Sequence, residues 1–196
     1  RFFIPPSHED FVGLLYNFLG KGEKGNKHRD FFENSLIRPL NRAFREYDTA
    51  RQSIATDYKN LNKQVPEVKK ILNKIIPDGD FTYQDAIRVY LWDKHGYDIP
   101  GLSSVDQKKL VKLVESDGRL QAYAETVNTI SKQETYVSPT EGWDSGDIRM
   151  DLDDATGRVG REQFFTEFNE NVDEMFSPEN LNKIEAAYGP DMVSAL

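Results

Sequence analysis

The chain has 196 residues, a formal net charge of −8, 38% hydrophobic and 30% charged residues, and 12 Phe, 9 Tyr and 2 Trp, so it can bury a real core and is not a disordered polymer. It has no cysteine and only three histidines (His8, His28, His95), which excludes disulfides, thiolate metal sites, iron–sulfur clusters and a cysteine nucleophile. Residues 1–133 hold 21 Lys and Arg against 18 Asp and Glu, and residues 134–196 hold 4 against 15, so an acidic C-terminal third repels nucleic acid and anionic lipid.

In chain order, Ser7 and Asp10 form a capping pair ahead of Phe11, Leu14, Leu15, Phe18 and Leu19, which recur at helical spacing. Gly20 ends that helix, and residues 20–27 read as a flexible linker. From 30 to 64 runs the clearest signal. Phe32, Leu36, Leu40, Ala43, Tyr47, Ala50, Ile54, Tyr58 and Leu61 step by three or four residues, forming one stripe on a helix about 50 Å long. Pro39 lies inside it and predicts a kink or a break.

Pro66 opens a short helix carrying Val68, Ile71, Leu72, Ile75 and Ile76, and residues 77–80 turn the chain. Thr82, with Asp85 three residues on, caps a helix bearing Ala86, Ile87, Tyr90 and Leu91, which Gly96 closes. Ser104, with Gln107, caps a helix with Leu110, Val111, Leu113 and Val114, and Gly118 breaks it. Leu120, Tyr123, Ala124, Val127 and Ile130 mark the next helix.

Residues 134–160 carry Pro139, Gly142, Gly146, Gly157 and Gly160 among many acids and lack a helical stripe. They are expected to form a long acidic loop with a short strand near 148–152. Phe164, Phe165, Phe168, Val172, Met175 and Phe176 resume a stripe, and Ser177-Pro178-Glu179 starts a last helix with Leu181, Ile184 and Tyr188. The expectation is an all-α, irregular multi-helix bundle around one long helix. Its parts are a helical body at 1–133, an acidic loop or linker at 134–160 and an acidic helical part at 161–196, with one continuous domain as the alternative.

Motifs for chemistry are sparse. Gly20 and Gly25 have the spacing of a phosphate-binding loop, but Asn26 and Lys27 occupy the lysine and hydroxyl positions, and a helix rather than a strand precedes them. Asp151, Asp153, Asp154 and Glu162 approach a calcium loop without filling a regular EF-hand in either frame, leaving an irregular divalent-cation site as the reading to test. Arg38, Arg42 and Arg45 share a helix face, with Lys59, Lys63, Lys69, Lys70 and Lys74 beyond. That face fits either phosphate contact or a salt-bridged solvent surface. No serine sits in a nucleophile elbow, and the most apolar stretch, 11–19, is too short for a membrane span. No secretory signal is visible. These readings leave no catalytic residues and no resident cofactor to name.

The stretch Ile4-Pro5-Pro6-Ser7-His8-Glu9-Asp10-Phe11, with Gly13-Leu14-Leu15-Tyr16 and the Gly20-Lys21-Gly22 turn, resembles segments of the large polyvalent proteins of marine bacteriophages, over roughly the first 65 residues. The resemblance implies a helical module of a giant phage polypeptide, in the infected bacterial cytoplasm or the virion. Its partners would be other domains of that polypeptide or other virion proteins. It supplies no activity. The opening Arg1 and the helix-like ending at 191–196 accord with a piece of a longer chain. A non-catalytic structural or interaction module is therefore the leading expectation. A nucleic-acid-associated domain and a metal-dependent module are its alternatives.

Overall fold

The computed structural model describes residues 30, 33–77, 79–132, 136–139, 142–144, 146–188 and 190. The helix expected over 11–19, the linker at 20–27, and His8 and His28 lie outside these residues. The protein is all-α: a π-helical turn (Glu33–Ile37) leads into α1 (Arg38–Gln64), followed by α2 (Pro66–Lys69), α3 (Tyr83–Lys94), α4 (Ser104–Ser116), α5 (Gly118–Ile130), α6 (Ile148–Met175) and α7 (Pro178–Tyr188). Among the described residues the only β pairing is an isolated bridge between Ile75 and Thr82. The described residues group into two compact units, one spanning 47–161 and the other made of the residues up to Glu46 and from Glu162 onward. Helices α1 and α6 contribute to both.

The 47–161 unit holds the hydrophobic core, and α3 is its axis. Seven consecutive residues of α3, Ala86 to Trp92, are buried. Such a helix is enclosed on every side rather than amphipathic. Around it pack Leu110 and Val114 of α4, Leu120, Tyr123, Ala124 and Val127 of α5, Ile54 and Leu61 of α1, Val68 of α2, and Ile148 and Leu152 of α6. Burying a side chain of this size contributes about 1.5–3 kcal/mol.

Capping fixes where these helices begin. Thr82 Oγ1 accepts from the Asp85 amide at 3.2 Å while Asp85 Oδ2 accepts from the Thr82 amide at 2.8 Å, the reciprocal box the sequence predicts. Helix α4 starts one residue earlier than its spacing suggests. Ser103, not Ser104, is the cap, and its Oγ accepts from the Asp106 amide at 3.1 Å. Asp117 caps α5, accepting from the Arg119 amide at 2.9 Å. Helix α2 is a single turn. Past it the backbone folds back on α3 through Ile76 N–H to Phe81 O (2.8 Å) and Tyr83 N–H to Lys74 O (3.1 Å), which leaves Ile75 exposed.

The expected loop at 134–160 ends early, and the short strand near 148–152 is overturned: α6 begins at Ile148 and runs unbroken through Gly157 and Gly160. Asp147 starts it, with Oδ1 accepting from the Met150 amide at 2.8 Å. The buried residues Ile148, Asp151, Leu152, Ala155 and Thr156 follow at helical spacing. Each glycine costs about 1 kcal/mol in a helix interior, less than this burial returns.

In the other unit, the disturbance expected from Pro39 appears as the π-helical turn before it, and Pro39 sits at the second residue of α1, where a missing amide costs little. Proline has no N–H for the Ser35 carbonyl four residues back, and that oxygen instead accepts from Asn171 Nδ2 of α6 at 2.8 Å. Arg42 Nη2 donates to both Glu167 oxygens at 2.7 Å, and Phe44 meets Phe165 edge-on with centroids 5.0 Å apart. Leu36, Ile37, Ala43 and Met175 are buried. Helix α7 starts where Ser177-Pro178 predicts, with Leu181 N–H donating to Ser177 O at 2.9 Å.

Candidate functional site

Among the described residues, the densest convergence of polar groups lies inside the 47–161 unit. Arg88, on the enclosed helix α3, is 2% exposed, and Asp151, on α6, is 5% exposed. A guanidinium in such a place must be paired, because an unpartnered buried charge costs several kcal/mol (about 3–5 when one partner of a pair is removed). Arg88 Nε donates to Asp151 Oδ2 at 2.7 Å and Nη2 to Oδ1 at 2.9 Å, a bidentate fork. Its Nη1 donates to the backbone carbonyls of Trp143 (2.8 Å) and Gly146 (2.6 Å). Tyr136 O–H donates to Asp151 Oδ2 at 2.7 Å.

These bonds tie the described part of the connection between α5 and α6 (136–139, 142–144 and 146–147) onto the core as a strap. Trp92 of α3 stacks under the guanidinium, with Arg88 Cζ 4.7 Å from its ring centroid, and its Nε1 donates to Val137 O at 2.7 Å. Further along, Trp143 Nε1 donates to Gly101 O at 3.2 Å, and the Trp143 ring meets Phe81 edge-on at 4.9 Å. At the strap's entry Lys132 adopts a left-handed backbone (φ 55°). Its ammonium donates to Ser53 Oγ at 2.9 Å and lies 3.6 Å from Asp57.

The electrostatics follow from the geometry. Burial works against charge on Arg88, but the hydrogen bonds and negative charge of Asp151 outweigh it and hold the guanidinium above its ordinary pKa. Burial, reinforced by the Asp151 carboxylate, pushes the Tyr136 phenol well above the ordinary tyrosine value, so it stays protonated and donates. Four N–H groups of Arg88 and both oxygens of Asp151 are engaged within the protein.

A second polar group lies on the α3–α5 ridge. Glu125 accepts from Lys94 Nζ at 2.5 Å and from Tyr90 O–H at 3.0 Å, and His95 Nε2 lies 3.0 Å from Asn128 Oδ1. The Lys94 hydrogen bond, against the opposing effect of burial, holds the Glu125 carboxyl below its ordinary range, with Tyr90 assisting.

Of the residues singled out for a cation, the helix turns Asp151 and Asp153 to different basic partners. Asp151 belongs to the buried clasp it forms with Arg88 and Tyr136. Asp153 accepts from Arg51 Nε at 2.5 Å and Nη2 at 2.6 Å, Asp154 is exposed, and the Glu162 side chain is outside the described residues. Among the described residues no three His, Asp or Glu side chains are grouped to hold a metal. On the basic face, Arg38 pairs with Glu33 at 3.4 Å and Arg42 with Glu167 at 2.7 Å, while Arg45 is exposed. Lys59, Lys63, Lys69, Lys70 and Lys74 are all exposed and make no ion pair among the described residues.

Sequence reasoning picked out Asp151 but assigned it to a cation, and it missed Arg88, Trp92, Tyr136 and Trp143. The signal was present: Arg88 stands between Ile87 and Val89 in a run of apolar residues, and an arginine enclosed there requires a carboxylate from elsewhere. Compared with known proteins, the chain matches no family model, no curated protein and no solved structure.

Proposed function

We propose that this chain is a non-catalytic structural and interaction module of a larger polypeptide of the large polyvalent phage kind, acting in the infected bacterial cytoplasm or in the virion. One observation carries the reading: the polar side chains that converge most closely, Arg88, Asp151 and Tyr136, are buried and spend their hydrogen bonds on one another and on the strap backbone. This arrangement stiffens a helical body and leaves its outer surface for other domains of the parent polypeptide or other virion proteins. Cross-linking mass spectrometry on the chain within its native polypeptide tests the reading. Links from the exposed lysines to other domains are expected, and links confined to this chain overturn it.

A second reading, a nucleic-acid-associated domain, is favoured by the five exposed lysines between 59 and 74, which make no ion pair among the described residues. It requires binding that weakens steeply with salt and is lost when Lys59, Lys63, Lys69, Lys70 and Lys74 are changed to Glu. Absence of binding at low salt removes it.

A further inference from the structure

We draw no further inference here: the strongest candidate, the half-buried Phe81–Trp143 aromatic patch where the strap crosses the turn before α3, carries nothing because nothing in the structure shows what covers it.

Discussion

Asp151→Ala is the sharpest perturbation of the clasp. It removes both acceptors of the Arg88 fork and the acceptor of the Tyr136 hydroxyl, and leaves a guanidinium that is 2% exposed without its counter-charge. Removing one partner of a buried pair costs about 3–5 kcal/mol. For a cooperative unit spanning 47–161, each kcal/mol shifts Tm by about 4 °C, so a fall of about 12–20 °C is expected. Replacing both partners, Arg88→Met with Asp151→Leu, exchanges the pair for apolar packing and is expected to recover most of the loss. The assay is built in, because both tryptophans, Trp92 and Trp143, touch the clasp. Intrinsic fluorescence during thermal and urea unfolding therefore reports on it directly. The reasoning is refuted if Asp151→Ala costs less than about 1 kcal/mol, or if the double variant is no more stable than the single.

Two further outcomes follow. The folded-state pKa values of Tyr136 and Tyr123 are both raised, each chiefly by burial, so the stability they contribute is fully present below the ordinary tyrosine pKa and is lost as pH rises beyond it. Absorbance at tyrosinate wavelengths should show one fewer phenol ionising only on alkaline unfolding in Tyr136→Phe than in the unaltered chain. An unchanged number would exclude Tyr136 as one of them. Asn171→Ala strands the Ser35 carbonyl that Pro39 cannot serve, at a cost of about 1 kcal/mol. Hydrogen exchange should then quicken in the first turns of α1, and unchanged protection there would contradict the role given to Asn171.

Much of the architecture is legible from local rules. The described part of the long stripe (33–64), the Thr82–Asp85 box and the Ser177-Pro178 start each act within a few residues, and each stands where expected. What is not legible depends on partners distant in sequence. Gly157 and Gly160 argue for a loop by intrinsic propensity, but Ile148, Leu152 and Ala155 are buried in the structure and hold the segment helical. Likewise the stripe read from Ala86, Ile87, Tyr90 and Leu91 describes a helix covered on one face. The burial of Arg88 and Trp92 emerges only once the strap and α6 are in place. The acids at 151–154 form a cluster only in sequence, because the helix turns Asp151 inward to Arg88 and sets Asp153 against Arg51.

The clasp itself is tested most directly by the Arg88 Nε proton in nitrogen-15 NMR. A guanidinium fixed by Asp151 and shielded from water should give a resolved, slowly exchanging Nε–H signal near neutral pH, one that vanishes in Asp151→Asn and is absent for the exposed Arg38. An Arg88 Nε–H that exchanges as fast as that of Arg38 would contradict the account.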